Sequence, residues 1–272
     1  MQKPISFFAS GALPLIFSFC GAAGAIRAES FPIQFRSGPA QVALIELYTS
    51  EGCSSCPPAE KWLGELRQEK GLWRDFVPVA FHVNYWDHLG WRDALASKSF
   101  TEREYAYVAS WNAASVYTPC FVRDGAEWRP RDPRPSAGAR GSADAGTLTL
   151  AWQTGTNLCQ VDYRPAINTA TEKRIAPTAG FDVSVVLLGS GIVNQVRKGE
   201  NAGRELRHEF VALRLEKAAL ERDADGVWSA KLSLPPRPDL SAPQQAVAAW
   251  VTRQHQLAPI QAVGGWIDGG AR

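Results

Sequence analysis

Cys53 and Cys56 stand two residues apart in LYTSEGCSSCPPAEKW, residues 47–62. Such a pair serves disulfide exchange, thiolate coordination of a metal, or a structural cross-link. A near-continuous apolar run, Val42 to Tyr48, precedes it, interrupted by Glu46, and has the length of a buried strand. After it, Ala59, Trp62, Leu63 and Leu66 fall at helical spacing. Pro57 and Pro58 are tolerated in a first helical turn, where N–H groups lack intrahelical partners. The cysteines therefore stand at a strand-to-helix junction. Unpaired N–H donors and the positive end of the helix dipole favour thiolate over thiol there. The thiolate is the species that attacks a disulfide. Redox exchange is the expected chemistry, with Cys53 attacking and Cys56 resolving the mixed disulfide.

Other residues bear on that pair. Glu46 lies inside the strand, where a lone carboxylate is costly. It is a candidate for tuning the cysteines, with a salt bridge as the alternative. Glu51, two residues before Cys53, opposes the thiolate by charge. His82 is a second candidate for tuning. With Asp87 and His88 it sits in an aromatic-rich segment, where packing is the competing reading. Cys53, Cys56, His82 and Cys120 form an alternative ligand set for copper or zinc, since soft thiolates suit both. Arg204 and His208 carry no evident reaction and read as packing or turn residues.

The elements that position these groups follow from periodicity. Phe76 to Val83 reads as a second buried strand and Phe100 to Trp111 as a second helix, with Thr101 a candidate cap and Gly71 a stop for the first helix. Phe121 to Arg123 is a short strand, Asp124-Gly125 a hairpin turn, and Ala126 to Trp128 a returning strand. Strand–helix–strand units imply a parallel pair, and the hairpin adds an antiparallel edge. Residues 129–146, RPRDPRPSAGARGSADAG, lack periodicity and read as a flexible linker. Beyond them, apolar residues alternate at Leu148, Leu150 and Trp152. They alternate again at Phe181 to Leu187, at Val211 to Leu215 and at Trp228 to Leu234. Gln245 to Val251 and Ile260 to Ile267 supply two more strands. The fold class is thus an α/β domain over 40–128 and a β-rich, sandwich-like domain over 147–272.

The N-terminus bears on redox state. Lys3 precedes an apolar run, Ile5 to Phe19, then small residues, the pattern of a secretory signal peptide over 1–28, cleaved near 25–28. The run is shorter than the ~20 apolar residues of a membrane span, and Pro14 interrupts it. No span is expected after cleavage. The chain is then periplasmic or secreted, where disulfides persist. The 272 residues carry a net charge of +2 with both signs interspersed, which argues against a nucleic-acid partner.

Val116-Tyr117-Thr118-Pro119 sits just before the third strand, where thioredoxin-like folds place a cis proline beside the active disulfide. Pro119 is eligible for that isomer, and Thr118 then offers backbone groups to an incoming peptide. Residues 44–62, FHVNYWDHLGWRD (81–93), SVYTP (115–119) and GENAGRELRH (199–208) resemble a secreted thioredoxin-like family, domain of unknown function 1223. The resemblance spans about Val42 to Phe210, with a gap across the linker. It implies a thioredoxin-like domain followed by a β-rich one, and supplies no substrate. Two features depart from the family pattern. Cys120 follows Pro119, and the linker replaces the expected helix after the hairpin. Cys120 is a third redox thiol, a partner for Cys159, or free and buried.

The leading expectation is a thiol–disulfide oxidoreductase acting on protein or small-molecule thiols, needing no organic cofactor because the cysteines carry the electrons. The alternatives are the copper or zinc module and a binding protein with a structural disulfide.

Overall fold

The computed structural model describes residues 1–2, 33–130, 144–166, 180–235, 237 and 239–268. Most of the expected signal peptide and residues 131–143 of the expected linker lie outside these.

Ile33–Arg36 forms β1 and Ala43–Thr49 forms β2, followed by helix α1 at Pro57–Glu65. A single 3-10 turn, Leu66–Gln68, closes α1, so the helix stops before Gly71. Phe76–His82 is β3 and Lys98–Ser110 is helix α2. Ser97, not Thr101, caps α2, its side chain accepting from the Ser99 N–H at 3.3 Å. Thr101 lies one turn in and binds Asn84 instead, donating to its side-chain oxygen at 2.8 Å. Cys120–Arg123 (β4) and Ala126–Glu127 (β5) make the hairpin. Its turn residues Asp124 and Gly125 have φ of 51° and 85°, the positive pair a two-residue turn of this hand requires.

The central strand β2 is buried along its whole length because both faces are covered. Ala43, Ile45 and Leu47 pack with Leu63 and Leu66 at the end of α1 and its closing turn. Leu44 and Tyr48 pack with Phe100 and Tyr107 of α2. Strand β2 pairs parallel with β3 and antiparallel with β4. This is the arrangement that the strand–helix–strand order implies.

The remaining strands are Thr147–Gln153 (β6), Leu158–Arg164 (β7), Phe181–Ser190 (β8), Ile192–Gln195 (β9), Glu205–His208 (β10), Val211–Ala219 (β11), Glu221–Arg222 (β12), Trp228–Ser233 (β13), Gln244–Arg253 (β14) and Pro259–Trp266 (β15). One sheet has the order β1-β6-β7-β13-β12. The larger has the order β15-β14-β8-β11-β3-β2-β4-β5. Alternate residues of β6 and β7, including Leu150, Trp152 and Val161, share a core with Val183, Val185 and Val247 of the larger sheet. That core is the expected sandwich.

The α/β and β-rich regions share the larger sheet. Strand β11 runs parallel to β3 with Val211 opposite Ala80, and the Ala80 N–H donates to the Phe210 carbonyl at 2.8 Å. The partition drawn at 129–146 is one of chain order, and hydrogen bonding passes through it. Strands β9 and β10 form a small separate sheet whose connecting loop reaches the cysteines.

Candidate active site

Cys53 and Cys56 form a disulfide with Cα atoms 5.5 Å apart. Cys56 is the N-cap of α1, and its carbonyl accepts from the N–H groups of Ala59 and Glu60 at 2.9 and 3.1 Å. The junction after β2 is tight, with the Cys53 N–H donating to the Ser50 carbonyl at 3.1 Å. The Thr118–Pro119 peptide is cis. The Thr118 carbonyl oxygen lies 3.8 Å from Cys53 Sγ, and Ser55 Oγ lies 3.3 Å from it. The proline loop is held by Trp86, whose indole N–H donates to Thr118 Oγ1 at 2.8 Å. Trp86→Phe keeps an aromatic ring, though a smaller one, and removes that donor. It is expected to cost about 1 kcal/mol in a urea unfolding series. A loss below a few tenths would mean that the hydroxyl finds an equivalent partner.

Both cysteines are 0% exposed. The loop between β9 and β10 bonds the backbone around them. The buried Asn201 side chain donates to the carbonyls of Glu51 and Cys53, both at 2.9 Å. Arg204 donates to the Asn201 side-chain oxygen at 2.7 Å, which turns the amide N–H groups toward those carbonyls. The exposed Ser54 N–H donates to the Glu200 carboxylate at 2.9 Å.

Beneath the pair lies a buried ionisable network that sequence reasoning largely missed. His208, read there as a packing residue, is 0% exposed and central. Its Nδ1 makes a short contact with Glu60, and its Nε2 lies 3.1 Å from a Glu51 carboxylate oxygen. Glu51 also accepts from Asn194 at 2.6 Å and from the Trp91 indole at 2.7 Å. Glu60 accepts from the Thr49 hydroxyl at 2.6 Å. His82 Nδ1 pairs with Asp93 at 2.7 Å, and the same Asp93 oxygen accepts from the Glu51 N–H at 2.9 Å. The two imidazole rings meet edge to face with centroids 5.0 Å apart.

Electrostatics follow from this geometry. Burial alone lowers an imidazole pKa, yet the charge of Glu60 and the hydrogen bonds of Glu51 and Glu60 raise that of His208 to about 10. For His82, burial is likewise outweighed by the charge and hydrogen bond of Asp93, and its pKa is raised. Burial pushes Glu60 and Asp93 upward, but their histidine partners hold both below the usual carboxylate range. Glu51, expected to oppose the thiolate by charge, has His208 Nε2 as a neighbour at 3.1 Å.

Glu46 is not part of this network. It lies on the α2 side of β2, where Arg103 donates to both its oxygens at 2.7 and 3.1 Å. Tyr107 and Tyr48 add hydroxyl donors at 2.6 and 3.0 Å. Of the two readings of Glu46, this is the salt bridge. Cys120 stands opposite Tyr48 and packs beneath α2 with Phe100 and Tyr107. It is a free thiol that burial pushes up to about 12. Cys159 is also free and belongs to the sandwich core, so the two do not pair. His82 stands opposite Thr49, on the other face of the sheet from Cys120. The cysteine-based metal set is therefore not gathered among the described residues.

A parallel pair flanked by helices on both faces, a disulfide at a helix start and a cis proline against it define a thioredoxin-like protein carrying a β-sandwich extension. The chain belongs to the family described as "Protein of unknown function (DUF1223)", whose model matches residues 44–252. No curated protein shows a significant match. Among solved structures, protein AGR_C_4864 from Agrobacterium tumefaciens superposes with a TM-score of 0.55 at 21% identity, covering 87% of this chain and 98% of that one. HBP35 of Porphyromonas gingivalis superposes with a TM-score of 0.60 at 15% identity, covering 85% of this chain and 77% of that one. At these identities the likeness is one of fold. Among the described residues, no helix is long and apolar enough to cross a membrane.

Proposed function

We propose that the protein is an exported thiol–disulfide oxidoreductase that exchanges the Cys53–Cys56 disulfide with a protein or small-molecule thiol. The observation that carries this reading is the disulfide at the first turn of α1 with the Thr118 carbonyl 3.8 Å from Cys53 Sγ. Cys53 is the attacking sulfur and Cys56, at the N-cap, the resolving one. Thr118 and Pro119 position the incoming chain. In the oxidising direction a substrate thiolate attacks Cys53 Sγ and releases the Cys56 thiolate. A second substrate thiolate then attacks the mixed disulfide, leaving Cys53 and Cys56 reduced and the substrate oxidised. Access requires the β9–β10 loop to release Ser54 and the Cys53 carbonyl.

Replacing Cys56 by serine is expected to trap a mixed disulfide when the Cys53 thiolate attacks a disulfide substrate and releases one of its thiolates, seen by non-reducing gel and mass spectrometry. Replacing Cys53 by serine is expected to trap none. Both changes abolish turnover in a glutathione-coupled exchange assay. Full exchange activity in either variant sinks the reading.

The complete burial of both cysteines favours a second reading, a stable structural cross-link in a binding protein. The reduction potential separates the two. A value below about −300 mV marks a disulfide that the glutathione pool does not reduce, and a higher one marks an exchanging pair.

A further inference from the structure

We propose that Glu60, His82 and His208 form a binding site for a divalent transition metal of the zinc class beneath the cysteine pair, made without any sulfur ligand.

One ligating atom from each of these residues lies within 4.8 Å of the other two. The three come from three elements. Glu60 projects from α1, His82 ends β3 and His208 ends β10. All three side chains are at least nine-tenths buried, so few solvent ligands compete for the ion. His82 Nε2 is wholly buried and has no hydrogen-bond partner among the described residues. An unpaired ring nitrogen at that depth keeps the full penalty of its lost hydration and calls for a partner. A metal ion supplies one.

The surroundings of the two imidazoles support the same assignment. Metal-bound histidines nearly always direct the other ring nitrogen at a carboxylate or carbonyl, which fixes the ring and raises its basicity. His82 does this through Nδ1 to Asp93 at 2.7 Å. His208 does it through Nε2 to Glu51 at 3.1 Å. The nitrogens left are His82 Nε2 and His208 Nδ1, and Nδ1 already faces the Glu60 carboxylate. The ion takes the place of the proton held between His208 and Glu60. Two imidazoles and one carboxylate suit zinc, and three protein ligands leave one coordination position open. Glu60 also lines a cleft of about 640 Å³ between α1 and β10, bordered by Pro57, Arg204 and Leu206, which gives a route of entry. The other carboxylates close by, Glu51 and Asp93, leave the site with an excess of negative charge once the histidines are neutral.

The test uses the full-length protein with its disulfide intact, so that no paired thiolate can bind. The chelator-treated protein is titrated with Co²⁺, then with Zn²⁺. One equivalent of Co²⁺ is expected, with visible d–d absorption, no thiolate charge-transfer band, and displacement by Zn²⁺. Glu60→Gln and His82→Gln are expected to abolish stoichiometric binding. Asp93→Asn, which removes the charge behind His82 and keeps an oxygen to accept from the backbone, should weaken it roughly 10–100-fold. The Cys53→Ser/Cys56→Ser double variant should bind as the wild type does. Circular dichroism checks each fold, and if a buried substitution unfolds the chain, the wild-type titration and the double cysteine variant decide alone. Absence of stoichiometric binding by the wild type overturns the proposal. So does binding that the double cysteine variant loses, or that folded Glu60→Gln and His82→Gln both retain.

Discussion

Replacing Arg103 by methionine is expected to destabilise the protein by about 3–5 kcal/mol, because it strands a buried carboxylate. Arg103 is 5% exposed and Glu46 0%. The guanidinium donates to both Glu46 oxygens and to the Tyr107 hydroxyl, the last at 3.1 Å. Its face also meets the Trp250 ring at 5.0 Å from the centroid. The group thus ties α2 to β2 and to β14 of the sandwich half. Removing the arginine leaves the buried Glu46 with two tyrosine hydroxyls as donors and no cation in direct contact, the remaining charge acting on it being that of Lys217. The midpoint of urea unfolding should fall with its slope unchanged. Replacing both partners, Glu46→Leu with Arg103→Met, should recover most of the loss, since the desolvated charge leaves with the ion pair. A single-variant loss below about 1 kcal/mol would show that the pair behaves like a solvent-screened surface bridge.

The same residues show how far the sequence could be read. The strand–helix–strand order, the hairpin at Asp124-Gly125 and the sandwich strands were legible because each writes its period locally. Val42 to Tyr48 is apolar at every position but Glu46 because helices cover both faces, and Leu148, Leu150 and Trp152 alternate because one face of β6 meets the core. The strand β7 carried the same signal, with Cys159, Val161 and Tyr163 buried in alternation between Gln160, Asp162 and Arg164, but its exposed Leu158 broke the pattern at one end. The pairing of β11 with β3 was not legible. It joins residues about 130 positions apart, and periodicity does not specify a neighbour at that distance. The cysteine pair and the cis proline were readable from spacing and order. The network below them was not, because Glu51, Glu60, His82, Asp93 and His208 converge from separate elements. Only the register of β2 with β3 and the return of β10 bring them together. The clue available was cost: Glu60 on a helix otherwise packed by Ala59, Leu63 and Leu66, and His208 at the end of a family motif, each needed a buried partner. Of the three readings of Cys120, free and buried is the one that holds. Adjacency to Pro119 in the chain placed it near the disulfide, whereas the alternation of β4 turns its side chain under α2.

Glu104 offers the clearest dependence on pH. It is 0% exposed on α2, and burial raises its pKa to about 7 from the ordinary 4.5. One carboxyl oxygen accepts from the Tyr85 hydroxyl at 3.5 Å, and the other has no partner among the described residues. The Tyr117 N–H lowers the pKa, but less than burial raises it. A folded-state pKa above the unfolded one means that the folded chain holds the proton more tightly. Its contribution is fully present below about pH 4.5 and is lost as the pH rises through about 7. At one pKa unit per 1.36 kcal/mol, the loss by pH 8 is about 3 kcal/mol. A glutamine at this position stays neutral throughout. Glu104→Gln should therefore gain about 2–3 kcal/mol relative to the wild type between pH 5 and pH 8, read from urea midpoints at both. Any fixed cost of fitting the amide cancels in that difference, as do His82 and His208, which titrate alike in both proteins. An unchanged difference between the two pH values would mean that Glu104 is hydrated when charged. The neighbourhood gives the effect a place in the site. Tyr117 adjoins Thr118, and Tyr85 adjoins Trp86, which holds the Thr118 hydroxyl. Ionising Glu104 loads charge onto the layer that supports the proline loop against Cys53.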